Sequence, residues 1–334
     1  MKHVINTVSE NYWLKEYKDR TDMDSFINEC KCDGVEVIRG GDDDTDIYCP
    51  ENVVGVHLYF YPNWLDFWNN DVESLERHFG SREIWENYYR ATNREEFLKP
   101  YQADMDYAEA MGAEYAVFHI NDVSNEEILN YEWEHTNKQV ITAAAEIINE
   151  LTRGRNYHFR LLLENLFTPG MMLLNPSETE LMLSLVDYEN KGIVMDTGHL
   201  MCAPQNITSE EQGIDFVLNT VKKHGELAHY IKALHMHKST TGDYVAELKK
   251  QTIIPEKDFY DRWAQAYNVI LNIDRHQPFT NPRAQEIIDL VQPEFVCHEL
   301  SAKTRAEKLE KVLVQMKTLG RVTTSGKAGG LNKP

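Results

Sequence analysis

The chain is poor in basic residues, and this shortage disfavours one large class of partner. It has 34 Lys and Arg residues against 54 Asp and Glu residues, which gives a formal net charge of −20. Contacts from Lys and Arg to phosphates supply most of the non-specific affinity of proteins for nucleic acids. Because no run of basic residues offsets the acidic excess, we expect the surface to repel a polyanion. We therefore predict no nucleic-acid partner.

Cysteines and membrane signals are also scarce. The five cysteines are an odd number in a chain of 334 residues. This pattern indicates free thiols in a reducing compartment and argues against a disulfide framework. No basic N-terminal segment precedes an apolar stretch, and no apolar run approaches the roughly 20 residues of a membrane helix. The sequence therefore predicts a cytoplasmic protein that has no membrane partner.

Six strand-like segments end in residues that can bind a metal. The clearest begins at Gly192, where an apolar run breaks into Asp196-Thr197-Gly198-His199, as expected at the end of a buried parallel strand. The other five are Val53–His57, Tyr115–His119, Arg160–Glu164, Ile231–His235 and Phe295–Glu299. Asp, Glu and His are costly to bury without a partner. Their repeated placement at strand ends indicates that they converge on a metal ion.

The order of the segments predicts an α/β fold. Strand-like and helix-like stretches alternate about eight times, which is typical of a (β/α)8 TIM barrel with its chemistry at the carboxyl ends of the strands. We predict one barrel domain over residues 1–320 and a disordered tail, rich in Gly, Thr and Lys, over residues 321–334. After the seventh strand, Lys238–Ile273 is a long insertion with its own helix near Glu256–Tyr267, which predicts an active-site lid.

Four short motifs at these strand ends resemble those of the xylose-isomerase-like TIM barrel superfamily. They are Leu163-Glu164-Asn165, Met195-Asp196-Thr197-Gly198-His199, Ala233-Leu234-His235 and Cys297-His298-Glu299. The superfamily includes ketose 3-epimerases, inosose dehydratases and endonuclease IV, and the resemblance spans about Val53 to Leu319. In its sugar epimerases, a Glu, an Asp, a His and a Glu hold the metal. Carried over, these ligands are Glu164, Asp196, His235 and Glu299.

The resemblance implies a divalent-metal-dependent isomerase or epimerase of a sugar or polyol. Three carboxylates and one imidazole suit manganese best, with cobalt, magnesium or zinc as alternatives. Glu164 and Glu299 are the predicted catalytic residues, one removing a proton from the metal-bound sugar and the other returning one through an enediolate. His199 is the third predicted catalytic residue, as a ligand or as a donor to a substrate oxygen. A lyase acting on a sugar or glycoside would use the same first step.

Further candidate ligands keep a second enzyme class open. Endonuclease IV and several relatives carry an Asp-x-His pair after the strand-seven histidine, and Asp274 and His276 match it. His57, His119 and His199 also fall where that enzyme has zinc ligands. The alternative is therefore an endonuclease IV-like zinc phosphodiesterase acting on abasic DNA, which the net charge of −20 disfavours. A non-catalytic metal-binding subunit and a homo-oligomer also remain open.

The residues predicted to contact a small carbohydrate substrate lie beside these ligands. They are His57, His119, His237, Lys238, Arg275 and Trp64. Trp64 belongs to a group of aromatic residues after the third strand, which either walls a ligand pocket or packs on itself. In the second strand, Glu36 alternates with apolar neighbours and faces either the barrel lumen or the solvent.

Overall fold

Eight parallel strands form a closed barrel in the computed structural model, which describes residues 1–40 and 47–322. Each strand pairs with the next along the chain, and the eighth pairs with the first. The strands are β1 Lys2–Val8, β2 Gly34–Ile38, β3 Val53–His57, β4 Tyr115–His119, β5 Arg160–Glu164, β6 Lys191–Asp196, β7 Ile231–His235 and β8 Phe295–His298. The predicted TIM barrel is confirmed, including the order of its strands.

The alternation of side chains along each strand explains why the barrel closes. In β5, Leu162 packs inside the barrel, while Leu161 and Leu163 belong to the larger cluster between the strands and the helices. Successive side chains of a strand point to opposite faces, so one apolar run supplies both layers. Other interior residues include Val4, Val117, Val194, Ala233 and Phe295. This packed interior leaves the chemistry to the strand ends.

Helices cover the outside of the barrel and fill the connections at its ends. They are α1 Asn11–Leu14, α2 Arg20–Glu29, α3 Leu65–Asn69, α4 Val72–Phe79, α5 Arg82–Tyr89, α6 Arg94–Ala110, α7 Asn125–Asn130, α8 Asn137–Thr152, α9 Pro176–Leu185, α10 Thr197–Cys202, α11 Glu210–His224, α12 Gly242–Leu248, α13 Phe259–Ile273, α14 Gln285–Val291 and α15 Arg305–Thr318. Two 3-10 turns lie at Gly225–Tyr230 and Pro282–Ala284. Within the described ranges, no helix has the length and apolar character that crossing a membrane requires.

The insertion after β7 contains two helices, α12 and α13, where the sequence predicted one. Helix α13 is fixed against α4 and α7 by its first turn. Phe259 stacks on Phe79 with ring centroids 4.5 Å apart, and Arg262 pairs with Glu126 at 2.5 Å while donating to the carbonyl of His78 at 2.6 Å. Arg262 is buried. This helix is therefore a docked wall of the barrel mouth in this structure.

Two further predictions concern the ends of the chain and the thiols. The predicted tail, residues 321–334, lies almost wholly outside the described residues. All five cysteines are free, as the odd number indicated; they are Cys30, Cys32, Cys49, Cys202 and Cys297.

Candidate metal centre

The barrel brings the predicted ligands together at one end. His57, His119, Glu164, Asp196 and His235 are the last residues of β3 to β7, and Glu299 directly follows β8. At these ends His119 lies opposite Glu164, and Asp196 lies opposite His235 after one shift of register between Ile193 and Val194. Because parallel strands end on the same side of the sheet, the side chains meet in one cluster.

The central group consists of the four residues carried over as metal ligands. Glu164 Oε1 lies 3.2 Å and Glu299 Oε2 lies 2.9 Å from His235 Nδ1, and Asp196 Oδ2 lies 3.8 Å from the same nitrogen. One donor atom from each of the four residues lies within 4.8 Å of the others. All four side chains are buried. Such a spacing suits a single ion held by three carboxylates and one imidazole.

A first flanking group shares Glu164 with the central one. The Nε2 atoms of His57 and His119 lie 2.9 Å apart, and each lies 3.2 Å from Glu164 Oε2. Glu164 therefore presents one carboxylate oxygen to each group. With both oxygens in use, it is a bridging residue between two candidate ion positions.

A second flanking group is centred on Asp274. Its Oδ2 atom lies 3.1 Å from His199 Nε2 and 2.6 Å from His276 Nε2. Asp274 Oδ1 accepts a hydrogen bond from the hydroxyl of Ser239 at 3.0 Å, which fixes the carboxylate. These three residues also have donor atoms within 4.8 Å of one another.

Three of the four histidines of the flanking groups are oriented as metal ligands usually are. The Nδ1 atoms of His57, His199 and His276 lie 2.9, 3.0 and 3.0 Å from the backbone carbonyl oxygens of Leu58, Asn165 and Glu299, respectively. Since a carbonyl oxygen only accepts, each Nδ1 carries the proton and donates it. In the neutral ring, Nε2 then presents a lone pair to a carboxylate oxygen. Lone pairs and carboxylates facing one another need a cation between them, so the donor set fits divalent metal ions.

His235 is held in the same way by a buried carboxylate from β2. Glu36 Oε2 lies 3.1 Å from His235 Nε2 and accepts a hydrogen bond from the Tyr115 hydroxyl at 2.7 Å. Glu36 is fully buried, so it faces the lumen and not the solvent. A carboxylate behind a histidine turns its other nitrogen toward the metal position. Sequence reasoning left Glu36 open, although a lone acid between apolar strand residues was the available signal.

The electrostatics of the cluster are strongly coupled. Burial alone would lower the pKa of His235, but the carboxylates of Glu36 and Glu164 raise it well above its usual value. Burial would likewise raise the pKa of Glu164, but the adjacent His235 holds it well below its usual range. Asp274 shows the same depression of its pKa, beside His276 and His199, and raises the pKa of His276 to about 9. Without a bound metal ion, protonated histidines thus balance the negative charge of these carboxylates.

The structure brings His237 to the site but leaves three other predicted substrate-binding residues away from it. The His237 ring stacks on that of His276 with centroids 3.9 Å apart, and its Nε2 lies 2.8 Å from Asp196 Oδ2. Trp64 is 3% exposed and its indole N–H donates to the carbonyl of Asn121 at 2.6 Å.

The side chains of Lys238 and Arg275 also lie away from the ligand cluster. The ammonium group of Lys238 pairs with the carboxylate of Glu210 and contacts the Thr280 hydroxyl at 3.1 Å. Arg275 is exposed, and neither side chain lines the cavity above the ligands. Proximity in sequence to His235 and His276 was a poor guide, because side chains of consecutive residues diverge where a strand or loop leaves the barrel.

A cavity of about 600 Å³ opens above the ligand cluster. Its floor includes His57, His119, His199, Asp274, His276 and Glu299. Its outer walls are largely aromatic and include Tyr59, Phe60, Tyr88, Phe167, Trp263 and Tyr267. The aromatic segment after β3 was expected either to wall a pocket or to pack on itself, and it does both. Tyr59 and Phe60 line the cavity, while Trp64 and Trp68 are buried in packing.

Comparisons with known proteins place the chain in a family. A family model described as "Xylose isomerase-like TIM barrel" matches residues 74–281, which is more than half of the chain. No curated protein matches the sequence.

Solved structures agree with the family assignment. A D-tagatose 3-epimerase-like protein superposes with a TM-score of 0.54 at 14% identity, over 96% of this chain and 97% of that one. The IOLI protein with a bound zinc atom gives 0.53 at 11% identity, over 97% and 100%. Endonuclease IV from Thermus thermophilus gives 0.53 at 12% identity, over 96% and 100%. At these identities the likeness establishes the fold alone.

Proposed function

Because this chain belongs to the xylose isomerase-like TIM barrel family, we propose that it is a divalent-metal-dependent isomerase or epimerase of a carbohydrate. A lyase that begins with the same proton abstraction is a variant of this proposal. The observation that carries it is the central group of Glu164, Asp196, His235 and Glu299, buried at the floor of a cavity large enough for a small molecule. Manganese is the proposed ion, since three of the four donors are carboxylates.

The proposed roles follow from which side chains reach the cavity. Glu299 lines it, whereas Glu164 is fully buried among histidines. A divalent ion held by the central group would polarise a bound hydroxyl and carbonyl, which acidifies the neighbouring C–H bond. Glu299 then accepts the proton at a carboxylate oxygen. Burial would raise its pKa, but His235 and His276 hold it well below its usual range, so the group is ionised.

A proton donor is also available at the cavity floor. Burial would lower the pKa values of His199 and His276, but Asp196 and Asp274 raise that of His199 well above its usual value, and Asp274 raises that of His276 to about 9. Both rings line the cavity, and with no ion in the second flanking group each is a candidate to return a proton to the substrate. Glu164 remains a second candidate for proton transfer through Oε2, the oxygen shared with the first flanking group.

Solvent exchange tests this proposal directly. We expect the manganese-loaded protein to incorporate deuterium from D2O into a bound ketose at the carbon next to the carbonyl. Glu299→Gln should abolish the exchange while the circular dichroism spectrum stays native. The matched control is Glu210→Gln, which removes an acid that pairs with Lys238 away from the cavity. Absence of exchange across ketoses with the wild-type protein would refute proton abstraction as the reaction.

One observation favours a second candidate, a metal-dependent phosphoester hydrolase. The two flanking groups are rich in histidine and one of them shares Glu164 with the centre, which suits a cluster of several zinc ions that activates water. Metal content by plasma mass spectrometry separates the candidates. One ion per chain together with deuterium exchange supports the first, whereas three zinc ions and release of nitrophenol from bis(4-nitrophenyl) phosphate would favour the hydrolase.

A further inference from the structure

The cavity has two chemically different halves. The floor carries the histidines and carboxylates described above, and the mouth is formed by aromatic rings from separate parts of the chain. Tyr59 and Phe60 follow β3, and Trp263 and Tyr267 belong to α13. These four side chains are 41%, 39%, 39% and 47% exposed, respectively. Large apolar side chains that stay exposed together at the mouth of a site usually mark a binding surface.

The two rings on α13 stack on each other and together give the cavity mouth one apolar face. Trp263 and Tyr267 lie one helical turn apart, with ring centroids at 5.2 Å and planes only 4° from parallel. Helix α13 is anchored by the stacking of Phe259 on Phe79 and by the buried Arg262. The face is thus fixed in position before any ligand arrives, which reduces the entropy lost on binding.

The charge of the side chains around the cavity disfavours an anionic ligand. In the described part of the chain, no Lys or Arg side chain lines the cavity, and its floor contains carboxylates. A phosphate or sulfate on the substrate would face these carboxylates, with only the floor histidines and bound metal ions to offset their charge.

We propose that the site takes an uncharged carbohydrate derivative that carries an aromatic or similarly flat apolar group, such as an aryl glycoside. The hydroxyl-bearing part lies over Glu299 and His276, and the apolar group lies against the face of Trp263 and Tyr267. Aromatic rings bind flat apolar groups through contact area and favourable ring geometry. This inference rests on the proposed function for the position of the sugar, and it adds the class of substituent and the absence of charge.

The test compares matched ligands on the manganese-loaded full-length protein by isothermal titration calorimetry. The probes are the phenyl and methyl β-glycosides of glucose, galactose and xylose, with glucose 6-phosphate as the anionic probe. We expect at least one phenyl glycoside to bind about 10-fold more tightly than its methyl partner, as one well-placed ring contact provides. Glucose 6-phosphate should bind no better than the methyl glycosides.

Variants assign the preference to the proposed face. The double variant Trp263→Ala with Tyr267→Ala should lose the phenyl preference, and Trp263→Phe should keep part of it. The control is Leu271→Ala, which removes an exposed apolar side chain of the same helix that does not line the cavity. Thermal melts on each preparation show whether the helix stays docked.

Each result decides between the proposals. Equal binding of phenyl and methyl glycosides, or a preference that survives in the double variant, overturns the inference. So does tighter binding of glucose 6-phosphate. The rings could instead join two copies of the chain. In that case ultracentrifugation will show self-association of the wild type that the double variant loses, and calorimetry will show no preference for phenyl glycosides. A phenyl preference without deuterium exchange would keep this inference and refute the proton abstraction.

Discussion

Glu36 Oε2 lies 3.1 Å from Nε2 of His235, on the side of the ring opposite the candidate metal position. The same oxygen accepts the Tyr115 hydroxyl at 2.7 Å, so it is fixed before any metal binds. A carboxylate in this position selects the ring tautomer and makes the facing nitrogen more basic. Glu36 is thus a positioning residue for the central group, although it lies two strands or more from most of the ligands.

We predict that Glu36→Gln weakens metal binding at the central group by about 10- to 100-fold. The amide keeps the size of the side chain but removes the charge that stabilises the His235 orientation. Competition with a fluorescent chelator measures the affinity without reference to activity. Tyr115→Phe is the matched control, because it removes only the hydroxyl donor to Glu36 and should have a smaller effect. Unchanged affinity in Glu36→Gln would show that His235 is positioned by packing alone.

Replacing the two glutamates of the central group should have unequal effects on metal content. Glu164 presents one oxygen to each of two groups, at 3.2 Å from a histidine in both. Glu299 also belongs to a second candidate group, with His237 and His276, but its Oε1 lies 4.0 Å from His276 Nδ1. We expect both Glu164→Gln and Glu299→Gln to abolish turnover, and Glu164→Gln to remove the greater amount of metal. Plasma mass spectrometry and circular dichroism on the same samples check this. Equal metal loss in a protein that loads several ions would contradict the bridging role of Glu164.

The acidic surface leads to a prediction about nucleic acid. With a net charge of −20, the chain has little capacity to release counterions from DNA. We expect no measurable binding to an abasic duplex at physiological salt in a fluorescence anisotropy titration. An intact duplex of the same sequence is the control. Tight binding that weakens steeply with added salt would move the hydrolase candidate ahead of the isomerase.

A histidine away from the centre makes stability depend on pH. His135 Nδ1 lies 3.0 Å from Asp122 Oδ2 and its Nε2 lies 3.2 Å from Asp66 Oδ1, and these two carboxylates raise its pKa to about 10. A raised pKa in the folded state stabilises the protein fully below the unfolded pKa of 6.5. The contribution then falls as the pH rises and is lost above about 10.

His135→Gln should therefore lower the free energy of unfolding by about 2 kcal/mol in mildly acidic buffer, allowing for partial exposure of the ring. Urea denaturation at about pH 6 and about pH 10 measures the difference, which should nearly vanish at the higher value. His158→Gln is the control, because that ring is 88% exposed and pairs only with Glu109 across the surface. A loss of stability that is the same at both pH values would assign His135 a packing role.

The strand ends could be read from the sequence because two independent signals coincided there. Apolar runs of strand length stop at His57, Glu164 and His235, and each stop is also a metal-binding residue type. Periodicity fixes where a strand ends, and the closed barrel then makes all such ends neighbours. This is why a convergence of metal-binding residue types could be predicted without knowledge of any distance, while the division into ligand sets came from the family resemblance.

The remaining features depend on the direction in which each side chain points, which a sequence pattern does not specify. The side chain of Glu36 could face the lumen or the solvent. Alternation shows that successive side chains point to opposite faces of the sheet, but it does not show which face a given residue occupies. Trp64 was grouped with Tyr59 and Phe60 by composition, but the chain turns into α3 directly after it and buries the indole against Asn121. Lys238 was assigned by proximity to His235, yet its side chain follows the loop outward to Glu210.

The residues that form the candidate centre are spread over nearly the whole chain, from the positioning residue Glu36 to the ligand Glu299 after β8. No fragment that lacks either end of this span contains the full set. An ion bound at the centre would therefore favour only the completely closed barrel over every partly folded form. Metal would then act on the folding equilibrium of the entire chain as a single cooperative unit, and a chelator would lower its melting temperature without splitting the transition.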